Sequence, residues 1–154
     1  MPPSVLKREI RQKKPFASRA EEAFLNLQRG AGVLLQEFSR FLKPWKLTPA
    51  TYNSLRILRG AHPEMLACGE VGDRLVTPEP DVTRLIDRLE KGGFVRRERD
   101  GEDRRIVRVG ITPRGLSLLA DLDEPVKAWL KASMNCLPAS DLKSLVGLLE
   151  RLRG

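Results

Sequence analysis

Arginine dominates the chemistry available to this chain. Arg84 and Arg88 stand four residues apart, and Arg99, Arg104 and Arg105 flank the acidic, glycine-containing run Asp100-Gly101-Glu102-Asp103. Guanidinium groups are permanently charged planar forks that match phosphate oxygens and the guanine edge, so this set suits a nucleic acid. Covalent and acid–base chemistry has little to work with. His62 is the only histidine, and no serine or cysteine is paired with a base in a recognisable motif. Cys68 and Cys136 lie too far apart for a zinc motif and do not suggest a disulfide framework. We therefore expect neither an enzyme, nor a metal site, nor a cofactor.

The elements that must hold these arginines are written in the same stretch. Val82, Leu85, Ile86 and Leu89 recur at i, i+3, i+4 and i+7, which predicts a helix with one buried stripe and a polar face carrying Asp81, Arg84, Asp87, Arg88 and Lys91. Asp100-Gly101 is a turn signal between two strands, Phe94 to Arg99 and Arg105 to Ile111. On the return strand Val107, Val109 and Ile111 share one face. A polar helix followed at once by a basic hairpin is the order of a winged helix-turn-helix.

Charge distribution agrees. The net charge is +8; residues 1 to 19 hold six Lys/Arg against one Glu, and residues 84 to 114 hold ten Lys/Arg against six Asp/Glu, so the rest is about neutral. Concentrated positive charge attracts polyanions by counterion release. A solvated basic face serving another protein or RNA is the competing reading. At 154 residues and 41% hydrophobic composition the chain can bury a core. With no run of 18 apolar residues and no apolar leader, a cytoplasmic protein without membrane contact is expected.

Along the chain, residues 1–17 read as a basic arm with a possible helical turn near Val5 to Ile10. A long helix starts near Ser18 with Phe24, Leu27, Ala31, Leu34, Phe38 and Phe41 in register, and Lys43-Pro44 ends it. Thr48-Pro49 opens a helix that Gly60 should stop, and a short helix within 65–75 is weakened by Gly69 and Gly72. Thr77-Pro78 is read as the cap of the polar helix and Gly92-Gly93 as its end. Thr112-Pro113 opens another helix, bent or broken near Pro125, and Leu142, Leu145, Val146, Leu149 and Leu152 stripe a last one. The fold class is mainly α with a small β-hairpin wing.

Three of these stretches, in this order and spacing, resemble the MarR-type transcriptional regulators. They are Leu47-Thr48-Pro49, Val82 through Val95 with its Arg-Leu-Ile-Asp-Arg-Leu-Glu-Lys-Gly-Gly core, and Asp103-Arg104-Arg105 through Ile111-Thr112-Pro113-Arg114-Gly115. The resemblance covers about residues 18–153. It implies a dimeric winged-helix repressor on a pseudo-palindromic operator, with 47–111 as the DNA-binding lobe and 18–46 and 112–154 as dimerisation helices. It also implies release from DNA by a small aromatic or phenolic anion; a thiol-based redox regulator is the variant reading.

Each candidate residue carries two readings. Arg84 and Arg88 serve DNA, or pair with Asp87 and Glu90 along the helix. Asp81 and Thr83 lie near the end that meets base edges, where an Asp also favours the helix dipole. Arg104 is the candidate for a narrow minor groove, with Arg99 and Arg105 beside it, and Asp103 would orient Arg104 or Arg105 through a charge-assisted bond or form only a solvated pair. Cys68 is either a sensing thiol or structural, and Cys136 is expected to be packed. Trp45, Tyr52 and Arg56 would stack on and pair with an aromatic carboxylate, or belong to core and surface.

Overall fold

The computed structural model describes residues 4–154 and separates into two compact units, one ending at Pro49 and one running from Ala50 to Gly154. The predicted basic arm begins at residues 1–3, which lie outside the described residues. In the first unit, α1 (Val5–Glu9) precedes α2 (Arg19–Leu42). Ser18 caps α2 by accepting the Glu21 N–H at 3.1 Å, while Glu21 Oε2 accepts the Ala17 N–H at 2.5 Å, so two orphan donors are satisfied together. Pro44 tightens the chain into a 3-10 turn over Lys43–Trp45, and Lys46 leaves it in the left-handed region at φ 57°. The apolar stripe of α2 forms, yet Phe24 is 59% exposed and Leu35 47% exposed.

The second unit contains α3 (Pro49–Ala61), β1 (Leu66–Ala67), α4 (Cys68–Asp73), α5 (Val82–Lys91), β2 (Val95–Arg99), β3 (Val107–Ile111), α6 (Pro113–Met134) and α7 (Ala139–Arg153). The strands form one antiparallel sheet in the order β1-β3-β2, with Leu66 opposite Val109 and Val95 opposite Ile111. Leu55, Leu58, Val71, Ile86, Leu89, Val109, Leu119 and Leu122 are at most 2% exposed. Burying each such side chain is worth roughly 1.5–3 kcal/mol.

Several boundaries differ from the sequence expectation, each for a local reason. Helix α5 starts at Val82 rather than at the Thr77-Pro78 cap, because the residue before a proline is pushed out of helical dihedrals and Pro80 imposes this on Glu79. Strand β1 was not anticipated; two residues are too few to display alternation. Helix α3 runs through Gly60 to Ala61, and α6 continues through Pro125 unbroken. Helix α4 is only six residues long, and the space a Cβ on Gly72 would need is taken by Val82 Cγ2 at 2.9 Å, so this glycine, costly to the helix, permits α4 to approach the start of α5.

Candidate nucleic-acid interface

Helix α5 is held at both ends by its own sequence. Asp81 is its N-cap, the carboxylate Oδ1 accepting the Arg84 N–H at 2.9 Å, so this side chain is engaged on the helix terminus. At the other end the Phe94 N–H reaches the Leu89 carbonyl at 3.0 Å and the Gly93 N–H reaches Glu90 at 2.8 Å. This is a Schellman closure, and it requires the left-handed φ of 76° at Gly93. Leu85, Ile86 and Leu89 are buried, which turns Thr83, Arg84 and Arg88 to solvent.

Thr112 fastens this end of the helix to α6. Its hydroxyl donates to the Gly93 carbonyl at 2.7 Å and accepts the Gly115 N–H at 3.1 Å, and its own N–H reaches the Phe94 carbonyl at 3.0 Å. Gly115 allows the close approach, since a Cβ there would fall well inside contact distance of the Phe94 carbonyl oxygen and 2.7 Å from Ile111 Cγ1. The Arg114 guanidinium lies 5.2 Å over the Phe94 ring, covering the same joint.

A residue not singled out from the sequence, Arg97 on β2, ties the wing to α5. One guanidinium nitrogen donates to the Thr83 carbonyl at 3.0 Å, and the other lies 2.5 Å from Asp87 and 3.4 Å from Glu90. The two acids that were candidate partners for Arg84 and Arg88 therefore face Arg97. Among the described residues, no ion pair or side-chain hydrogen bond engages the guanidinium groups of Arg84, Arg88, Arg99, Arg104 or Arg105, and all five side chains are exposed. A group of exposed, unneutralised cations is the form in which phosphate contact releases counterions.

The wing tip is organised by Asp100, not by Asp103 as expected. Asp100 Oδ1 accepts the N–H groups of Glu102 at 2.9 Å and Asp103 at 3.2 Å, and Oδ2 accepts from Arg108 Nε on the returning strand. The Arg108 bond first, then the two backbone donors, hold the Asp100 carboxyl down at about 2. Asp103 instead accepts the backbone N–H of Arg105 at 2.9 Å, so it shapes the turn and no guanidinium is oriented by it. The loop is longer than Asp-Gly suggested, closing between the Asp100 N–H and the Ile106 carbonyl at 2.9 Å.

The remaining candidates lie elsewhere. Trp45 ends the 3-10 turn of the first unit, its ring 5.4 Å from Phe41. Tyr52 and Arg56 lie one turn apart on α3; Tyr52 is only 6% exposed, and burial raises its hydroxyl pKa, against the lowering effect of Arg56. Arg59 grips Asp123 of α6 through two hydrogen bonds of 3.0 Å, which lowers that carboxyl. Cys68 is the first residue of α4 and partly exposed, whereas Cys136 is exposed rather than packed. A further polar tie, Asn53 Oδ1 accepting the Val76 N–H at 2.8 Å, fixes the loop that leads into α5. No helix among the described residues is long and apolar enough to cross a membrane.

A capped helix with its polar face free, joined by Arg97 to a β-wing with an arginine tip, defines a winged helix-turn-helix DNA-binding module. Residues 45–106 match the family model described as MarR family. The crystal structure of a MarR transcription factor from Planctomyces limnophilus is 40% identical, covers 88% of this chain and 98% of its own, and superposes with a TM-score of 0.70. The same fold recurs at 19% identity in Sco3205 from Streptomyces coelicolor, solved in complex with DNA (TM-score 0.81, 92% of this chain and 91% of that one). It recurs at 22% identity in BpsR from Bordetella bronchiseptica, a structure addressing regulation of DNA binding by 6-hydroxynicotinic acid (TM-score 0.77, 87% of this chain and all of that one). The chain belongs to the MarR family of transcriptional regulators.

Proposed function

We propose that this regulator is a homodimeric repressor that reads a pseudo-palindromic operator with α5 in the major groove and the wing along the adjoining minor groove. The observation that carries the reading is the unneutralised set Arg84, Arg88, Arg99, Arg104 and Arg105, left free because Asp87, Glu90 and Asp100 are engaged by Arg97 and Arg108. Arg84 and Arg88 contact phosphate or base edges from α5, Thr83 lies nearest the base-reading end, and Arg104 enters the minor groove with Arg99 and Arg105 on its flanking phosphates. Asp81 acts through the helix it caps. In this reading residues 47–111 are the DNA-binding lobe.

The dimerisation helices are 18–46 and 112–154. Support comes from apolar side chains left in solvent on each: Phe24, Leu27 and Leu35 on α2, and Leu145, Val146, Leu148 and Leu152 on α7, the last 69% exposed. Faces of this kind mark association surfaces. A twofold dimer would set two reading helices on half-sites about one helical turn, roughly 10 bp, apart.

An anionic aromatic effector is the second part of the proposal. On α3, Arg59 holds Asp123 through two hydrogen bonds, and Arg56 is an exposed cation one turn from Tyr52. A carboxylate on a ring matches the Arg56 guanidinium, and the aromatic acid named for BpsR is of this chemistry. To change operator occupancy decisively the acid must prefer the non-binding conformer by several kcal/mol. The test is selection of duplexes from a random pool, followed by anisotropy titration of the selected and shuffled duplexes, alone and with a panel of aromatic acids. Equal affinity for both duplexes refutes the operator reading. Unchanged affinity with every acid, together with a loss on peroxide treatment that Cys68→Ser abolishes, replaces the effector by a thiol switch at Cys68.

A further inference from the structure

We infer that the segment Lys7–Lys14 is a second polyanion-contacting surface, which adds sequence-independent phosphate contacts to those that α5 and the wing make. The inference rests on the DNA-binding reading above. Lys7, Arg8, Arg11, Lys13 and Lys14 fall within eight residues that contain one acid, Glu9. The nearby acids are occupied. Glu9 faces Arg29 of α2 at 3.4 Å, Glu21 accepts the Ala17 N–H at 2.5 Å, and Glu22 takes the Arg19 guanidinium at 2.9 Å. Among the described residues none of the five cations has an ion pair, so their charge is uncompensated.

The segment is also built rather than loose. Leu6 is 3% exposed, Glu9–Arg29 ties α1 to α2, and the chain turns at Arg11, φ 53°, with the Gln12 N–H on the Lys7 carbonyl at 3.0 Å. Charges mounted on an ordered turn lose less freedom on binding than charges on a coil. The Gln12 amide is turned back into the segment, donating to the Lys14 carbonyl at 3.2 Å. What is offered outward is cationic, which is the chemistry of phosphate contact.

The test uses the full chain with Lys7, Arg8, Arg11, Lys13 and Lys14 all changed to Gln, beside a charge-retaining variant in which Lys and Arg are exchanged. Each is titrated by anisotropy at several salt concentrations on the selected operator core flanked at both ends by random sequence and on a shuffled duplex of the same length. The Gln variant should bind both duplexes more weakly than wild type and the charge-retaining variant, with a salt slope shallower by about 2–4 units, from about 0.9 per phosphate contact. Its ratio of operator to shuffled affinity should stay at the wild-type value. A Gln variant that binds as wild type does, or that loses affinity on the operator alone, overturns the inference. So does binding of wild type, but not of the Gln variant, to phosphatidylserine vesicles with DNA binding unchanged. If wild type itself fails to prefer the core over a shuffled duplex, the DNA-binding reading fails instead, and the two failures are distinct.

Discussion

Replacing Gly115 by alanine tests the joint between the reading helix and α6. The added methyl would overlap the Phe94 carbonyl oxygen and meet Ile111 Cγ1 at 2.7 Å. A backbone oxygen in the corner between α5 and β2 cannot rotate away, so the start of α6 must move. That movement stretches the Thr112 hydroxyl bond to Gly93 at 2.7 Å and the Thr112 N–H bond to Phe94 at 3.0 Å. Overpacking costs about 1–3 kcal/mol, and two weakened hydrogen bonds add up to about 1 kcal/mol each. Alanine returns at most about 1 kcal/mol of helix propensity. The net expectation is a loss of about 2 kcal/mol, or a fall of about 1 M in the urea midpoint for a slope near 2 kcal/mol/M. Gly60→Ala, where a Cβ meets nothing within 4 Å, is the control and should be neutral or stabilising by about 0.5 kcal/mol. If Gly115→Ala raises the urea midpoint as an unhindered helix glycine would, the close approach at this joint is wrong.

Arg97→Ala should weaken operator binding about tenfold while leaving the salt slope within half a unit of wild type, because Arg97 contacts Thr83, Asp87 and Glu90 rather than phosphate. A slope reduced by a full unit would make it a DNA contact. Arg104→Ala should do the reverse, lowering the slope by about one unit with a further loss on A·T-rich flanks, as read by anisotropy at several salt concentrations. The Asp100 carboxyl, held at about 2 against an ordinary 3.8, stabilises the folded wing fully above the ordinary value, and the contribution is lost as pH falls toward 2. The side-chain carboxyl carbon resonance of Asp100 should thus titrate with a midpoint near 2; a midpoint near 4 would remove the Arg108 bond from the account. Leu145→Asp should convert a dimer to a monomer or unfold it by light scattering and circular dichroism at micromolar concentration, whereas a wild-type monomer would refute the dimer.

Those parts of the fold that rest on local chemistry were legible. Thr112 capping α6 and Gly93 closing α5 follow from what a hydroxyl and a Cβ-free residue do at helix ends, and the buried stripe Leu85, Ile86 and Leu89 follows from helical period. The start of α5 was misplaced because Thr77-Pro78 imitates a cap-and-proline signal, and Pro80 two residues on overrides it. The candidate arginines of the interface were named from type and spacing, but the residues that leave them free were not. Arg97 meets Asp87 and Glu90, and Arg108 meets Asp100, only once β2 and β3 are folded against α5 and each other. Before that, every acid near an arginine is an equal candidate partner. Gly115 carries no local signal at all, since its reason is the Phe94 carbonyl twenty-one residues earlier.

A hydroxyl-radical footprint on the selected operator tests the central claim most directly. The account predicts two protected patches about one helical turn apart on one face of the duplex, with minor-groove protection at their outer edges that disappears in Arg104→Ala while the inner protection remains. A single patch, or uniform weak protection indistinguishable from that on shuffled DNA, would contradict it.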